Sequence, residues 1–207
     1  MLKIRILGAN LKGSLIPIVF LWAGAVTFGM WRVLDYEKTP AAASVISDHW
    51  PAQAGIPLDA NRPTLVLFIH PHCPCTKATL SELSVLMANC RGKLSTYLFF
   101  LKPAGFVDDW SKSDLWLEAG KIPGTKLALD DNGVIARNFN AATSGQCLLY
   151  DPKGILLFQG GITGMRGHAG DNIGRRSITS IIWNEKPASR KTFVYGCSLF
   201  NESPKNT

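Results

Sequence analysis

Residues 64–90 read TLVLFIHPHCPCTKATLSELSVLMANC, and a change of hydrophobic period inside this stretch decides the fold. Thr64 to His70 is a continuous apolar run of strand length, the pattern of a central strand buried on both faces. From Pro74 to Cys90 the apolar Leu80, Leu83, Leu86, Met87 and Cys90 recur at spacings of three and four, which marks one face of a helix. Between the two lies His70-Pro71-His72-Cys73-Pro74-Cys75-Thr76, a tight loop that delivers two cysteines to the start of that helix.

Working outward, Leu94 to Leu101 (LSTYLFFL) predicts a second buried strand, and a helix joining two such strands implies a right-handed parallel crossover. Residues 106–119 predict a helix ending near Gly120, and residues 125–129 a short strand. Residues 134–139 suit either a strand or a short helix. Gln146–Tyr150 and Ile155–Gln159 flank Asp151-Pro152-Lys153-Gly154, which is hairpin chemistry. A last helix is expected over 171–183, with Asp171 as N-cap and Ile173, Ile178, Ile181 and Ile182 turned inward. The expected fold class is α/β, a mixed central sheet with helices on both faces over residues 63–185, followed by a tail at 186–207.

The N-terminal part is of another kind. Gly13 to Trp31 is nineteen residues without a formal charge, which is long enough to span a bilayer as a helix. Lys3, Arg5 and Lys12 precede it, while Arg32 and Lys38 after it are offset by Asp35 and Glu37. The positive-inside rule therefore puts residues 1–12 in the cytoplasm, a signal-anchor helix at 13–34 in the inner membrane, and the remainder outside, in the periplasm or its equivalent. A cleaved signal peptide is the rival reading, with Ala41-Ala42-Ala43 as the small residues near the cut. Residues 35–62, rich in small residues and Pro, read as a linker.

The chain carries 22 Lys and Arg against 15 Asp and Glu, and its 18% charged content is below the typical figure of about 25%. That excludes a disordered acidic or basic tail protein. The basic residues are scattered, without an aromatic-interleaved patch, so nucleic acid is not an expected partner.

The chemistry concentrates at Cys73 and Cys75. A thiolate at a helix N-terminus faces unpaired backbone N–H groups and the positive end of the helix dipole, which favour the charged nucleophile. With Cys73 as N-cap and Pro74 at the first helical position, Thr76 lies about 60° from Cys73 around the axis, whereas Cys75 lies about 160° away. Thr76 is therefore expected to point at the Cys73 sulfur, and a Cys73–Cys75 disulfide to be strained and oxidising. His70 and His72 either steady the thiolate and shuttle protons or simply end the strand and face solvent. Five cysteines are an odd number. Cys90 and Cys147 read as core residues, while Cys197, in the tail sequence YGCSLF, is a possible further partner for Cys73. The loop from Gly160 to Gly174 holds six glycines and is either a plain connection or a cover that brings Arg166 or His168 over the cysteines.

The stretches VLFIHPHCPCTKATLSEL (66–83) and SGQCLLYDPKGILLFQGG (144–161) resemble the thioredoxin-like superfamily, and more narrowly its membrane-anchored, extracytoplasmic RedB-type members. The first matches the family's buried strand, cysteine loop and long helix, and the second its closing hairpin. Two departures stand out: the family's Cys-X-X-Cys falls on Cys73 and Thr76 with Cys75 one place early, and its cis-proline falls on Gly145. The resemblance implies a thiol-disulfide oxidoreductase without a cofactor, acting on protein thiols or disulfides, in which Cys73 reacts, Cys75 resolves, and Thr76 and His72 assist. The alternative is a copper-binding assembly factor, with His70, His72, Cys73, Cys75 and His168 as a sulfur and imidazole set.

Overall fold

The computed structural model describes residues 7–90 and 92–200, with side chains from residue 15 onward. The chain divides into a unit ending at Lys38 and a compact unit beginning at Thr39. The first is a single helix, α1 (Leu7–Lys38), longer at both ends than the expected 13–34. Its stretch Leu15–Lys38, with a mean hydropathy of 1.5, is a candidate membrane span. Pro17 lies inside it, and the large side chains Phe20, Leu21, Trp22, Phe28 and Trp31 are all exposed. Such a surface suits lipid rather than water.

The second unit follows the order β1 (Thr64–Ile69), α2 (Thr76–Cys90), β2 (Ser95–Lys102), α3 (Asp108–Ser111), α4 (Asp114–Gly120), β3 (Thr125–Asp131), α5 (Val134–Asn138), β4 (Gln146–Tyr150), β5 (Leu156–Gly160) and α6 (Ile173–Ile182). The five strands form one sheet in the order β3-β2-β1-β4-β5. β1, β2 and β3 run parallel, and β4 and β5 are antiparallel to their neighbours. This is the expected mixed sheet and the thioredoxin-like arrangement.

Period-two alternation along β1 separates two cores. Leu65, Leu67 and Ile69 meet Leu80, Leu83 and Leu86 of α2 and Ile178 and Ile182 of α6. Val66 and Phe68 face the other way, toward Phe99, Phe139 and Tyr150. Each such side chain, fully buried, contributes about 1.5–3 kcal/mol. Central placement of β1 fixes its C-terminal end, where the cysteine loop begins.

Several elements differ from expectation for identifiable reasons. The single helix over 106–119 is two, α3 and α4, broken at Lys112 and Ser113. There Ser111 Oγ donates to the Leu101 carbonyl (3.0 Å) and Ser113 Oγ to the Pro71 carbonyl (2.7 Å), and such side-chain bonds compete with a continuous helix. Residues 134–139 resolve as a short helix, whose first amides donate to the buried Asp130 carboxylate. The N-cap of α6 is Asn172, whose Oδ1 accepts from the Arg175 amide (2.8 Å), while Asp171 pairs instead with Arg176 (3.0 Å). Ile173 consequently faces outward, half exposed. Residues 46–58, within the segment read as a linker, pack on the second core: Ile46 and Ala54 are buried, and Trp50 sits edge-on to Phe139 and Tyr150. One short helix cannot cover that sheet face alone, and this leader completes the cover.

Candidate thiol exchange site

β1 stops at Ile69, and two consecutive turns carry the chain into α2. The Cys73 amide donates to the His70 carbonyl (3.1 Å), and the Thr76 amide to the Cys73 carbonyl (3.1 Å). α2 therefore begins at Thr76, two residues later than predicted, and Pro74 and Cys75 lie in the turn. The splay expected for two helical residues does not arise, because both cysteines precede α2.

Two remote segments close over this loop. Ser144 and Gly145 precede β4, where Gly145 holds φ +87° and its amide donates to the Phe68 carbonyl (2.8 Å). This is the position on which the family's cis-proline falls, and no cis peptide bond occurs among the described residues. Ser144 Oγ accepts from the His70 amide (2.9 Å) and shares a second hydrogen bond with Thr76 Oγ1 (2.9 Å). Where the Thr76 hydroxyl gives its one proton to Cys73, the Ser144 hydroxyl is the donor in the bond between the two.

The tail supplies the other cover. Thr192 and Phe193 pair with Gln159 and Gly161 at β5, after which Gly196 is pressed against the Ser144 carbonyl so closely that any Cβ would collide with it. The Ser144 amide donates to the Cys197 carbonyl (2.8 Å) and the Leu199 amide to the Ala142 carbonyl (2.8 Å). Arg166, from the glycine-rich loop, clamps this run by donating to the Gly196 carbonyl (2.6 Å) and to the Thr39 carbonyl (3.2 Å). The result is three cysteines in one place: the Cys197 amide lies 3.4 Å from Cys73 Sγ.

All five cysteines are thiols, and their environments differ. Burial pushes the Cys73 thiol up, but hydrogen bonds from the Cys197 thiol and amide, the Thr76 hydroxyl and the Cys75 amide outweigh it and hold its pKa below the usual value. Burial, then the neighbouring Cys73 charge, raises Cys75 against the opposing pull of Arg166. The same burial and the hydrogen bond to Cys73 push Cys197 up to about 12. Cys90 is pushed up to about 11 by burial and Cys147 higher still, as expected of core residues. The site thus sets one thiol of lowered pKa beside two whose pKa values are raised.

The histidines belong to a different cluster. His72 Nε2 pairs with the Trp110 carbonyl (2.9 Å), and its ring lies 4.6 Å from the Trp110 ring. His70 Nδ1 accepts from the His72 amide (3.2 Å), and burial, aided by His72, lowers its pKa, which keeps it neutral near pH 7. The groups that hold the Cys73 charge are thus hydroxyl, thiol and amide donors. His168 lies exposed in the loop that Arg166 shares, so of the two candidates it is Arg166 that reaches the cysteines. Among the described residues no group of three or more His, Cys, Asp or Glu side chains is arranged to hold a metal ion.

Two contributors escaped the sequence reading. Ser144 stood inside SGQCLLY without a pattern of its own. Glu82, buried in α2, accepts from Arg175 Nε (2.6 Å), Asn172 Nδ2 (2.9 Å) and the Gly170 amide (2.7 Å), and so fixes the end of the loop that carries Arg166. Its only trace in sequence is a carboxylate next to the apolar stripe of α2.

No family model and no curated protein matches the chain. Solved structures do share the fold. An uncharacterized conserved protein from Geobacillus kaustophilus superposes with a TM-score of 0.55 at 19% identity, over 70% of this chain and 79% of that one. A hypothetical protein from Sinorhizobium meliloti 1021 gives 0.54 at 16% identity, over 79% and 96%. A secreted Mycobacterium tuberculosis disulfide oxidoreductase gives 0.44 at 14% identity, over 61% and 84%. Strand order and directions are those of a thioredoxin-like fold.

Proposed function

We propose that this chain is a membrane-anchored thiol-disulfide oxidoreductase working outside the cytoplasm, with Cys73 as the exchanging sulfur of the Cys-Pro-Cys loop. The carrying observation is the cluster itself: the Cys197 amide stands 3.4 Å from the buried Cys73 sulfur, Cys75 lies in the same turn as Cys73, and either of these thiols is chemically able to serve as its disulfide partner. Cys73 attacks a substrate disulfide, one substrate sulfur leaves as thiolate, and Cys75 attacks the Cys73 side of the mixed disulfide to release the second. The charge pattern around α1 supports an N-terminus in the cytoplasm and a single pass through the inner membrane, with protein thiols or disulfides as partners and no cofactor.

The test equilibrates the full chain in detergent with graded glutathione buffers, traps thiols by alkylation and locates the bonds by peptide mass spectrometry. A reversible two-electron couple that includes Cys73 is expected. Its absence sinks the reading, and stoichiometric copper protecting both Cys73 and Cys75 in the same sample replaces it with the copper-handling alternative.

A further inference from the structure

Cys73 is 1% exposed and Cys75 7% exposed, so both residues are buried. Cys197 is the partly exposed member of the three. Resting on the exchange reading above, we propose that Cys197 is the port of this centre: substrate sulfur bonds to Cys197, and Cys73 is the buried hub that receives the disulfide from it. The geometry carries this in three ways. The Cys197 amide stands 3.4 Å from Cys73 Sγ, so the two residues are already juxtaposed. The tail is seated by bonds on either side of Cys197, to Ala142, Ser144 and Arg166, and not by its termini alone. Gly196 permits an approach to the Ser144 carbonyl that no other residue could make.

The chemistry balances without an outside oxidant. In the chain holding a Cys73–Cys197 disulfide, a substrate thiolate attacks Cys197 Sγ. A substrate–Cys197 bond forms, the Cys73–Cys197 bond breaks, and its electron pair leaves on Cys73 Sγ. The low pKa of Cys73 makes it the better leaving group of the pair. A second thiolate of the same substrate then attacks the substrate sulfur, closing the substrate disulfide and releasing Cys197, which takes a proton from water. Substrate is oxidised by two electrons and the chain reduced by two; the reverse sequence reduces a substrate disulfide. Attack of the Cys75 thiolate on Cys73 Sγ, with Cys197 leaving, moves the disulfide inward to Cys73–Cys75 with no net redox change.

The experiment uses the full chain in detergent with glutathione as probe. The Cys75→Ser chain, oxidised by glutathione disulfide, should form Cys73–Cys197; after brief exposure to reduced glutathione and acid quench, peptide mapping should find glutathione on Cys197 and Cys73 free. In Cys197→Ser, reduction of Cys73–Cys75 by glutathione should slow about tenfold, because the remaining disulfide is buried. Gly196→Val, which keeps all three thiols but lifts the tail, should shift the oxidised wild-type mixture toward Cys73–Cys75. Glutathione on Cys73 in the Cys75→Ser chain, or an unchanged rate in Cys197→Ser, overturns the port while leaving exchange at Cys73 standing. If none of the three cysteines forms a reversible bond in the wild type, the exchange reading falls as well.

Discussion

The two walls of the cysteine centre are built by opposite means. The near wall, residues 70–79, is one unbroken passage from strand through turn to helix, and chain connectivity alone puts Cys73 at the entry of α2. The far wall is assembled from Ser144, Arg166 and the tail around Cys197, the last 124 residues away along the chain. The near wall decides which sulfur stands at the helix entry. The far wall largely decides its charge, since the thiol and amide of Cys197 come first among the groups that lower the Cys73 pKa. Nucleophilicity here is a tertiary property more than a property of the motif.

The strongest break of the near wall is Cys73→Ser. Both remaining thiols are raised by burial, so neither replaces the lost thiolate, and glutathione-coupled exchange should drop by about a thousandfold or more. Substantial exchange in that variant would mean that Cys75 and Cys197 act as a pair and that the hub is misplaced.

Breaking the far wall without touching a cysteine is the second step. Arg166→Gln removes the charge-assisted bond to the Gly196 carbonyl and the bond to Thr39. A loss of about 1.5–3 kcal/mol at that clamp corresponds to roughly tenfold or more faster hydrogen exchange of amides 194–199. Exchange unchanged in those amides would show that backbone pairing with Ala142 and Ser144 holds the tail by itself.

This asymmetry also explains what the sequence made legible. A buried apolar run followed by a helical period is a local pattern, so β1, α2 and the hairpin could be read directly, and with them the place of Cys73 just before α2. Thr76 was singled out by a helical phase counted from Cys73, whereas in the structure α2 starts only at Thr76. The helix break at Ser113 depends on the Pro71 carbonyl, and the role of Ser144 depends on the His70 amide, neither of which has a signature within the segment concerned. Cys197 was visible as a possible partner for Cys73, from the odd cysteine count and its tail sequence YGCSLF, but the contacts that seat it were not. The place of the histidines in the loop was clear from sequence, but their contact with Trp110 was not, because Trp110 comes from α3.

Thr76→Val sharpens the comparison on the near side. The substitution keeps shape but takes away the hydroxyl that donates to Cys73, so the Cys73 pKa should rise by about one unit, equivalent to about 1.4 kcal/mol. The reading is the pH profile of alkylation of the reduced chain by iodoacetamide, whose midpoint moves up. Linkage gives the sign for stability. The folded Cys73 pKa lies below the unfolded 9.0, so its contribution is full above pH 9 and fades as pH falls through the folded value. Cys90 and Cys197 act oppositely: their contributions are full below pH 9 and are lost toward about 11 and about 12. Thr76→Val should remove part of the first contribution and leave the alkaline decline in the Tm of the reduced chain unchanged.

Ser144→Ala tests the smallest link, because Ser144 reaches Cys73 only through Thr76. Its proton polarises the Thr76 hydroxyl, and such cooperative strengthening is about 10–30% of a bond, so the Cys73 pKa should rise by only a few tenths of a unit. Stability should respond more, because the His70 amide loses its acceptor in a half-buried place at a cost of about 1–3 kcal/mol. The two readouts therefore separate: denaturant midpoint down clearly, alkylation midpoint barely moved. In the double variant with Thr76→Val the pKa effect of Ser144→Ala should vanish, since the hydroxyl that transmits it is gone. A pKa rise as large as that of Thr76→Val, or one that persists in the double variant, would mean that Ser144 acts on Cys73 by positioning the tail through its backbone contacts with Gly196 and Cys197 instead.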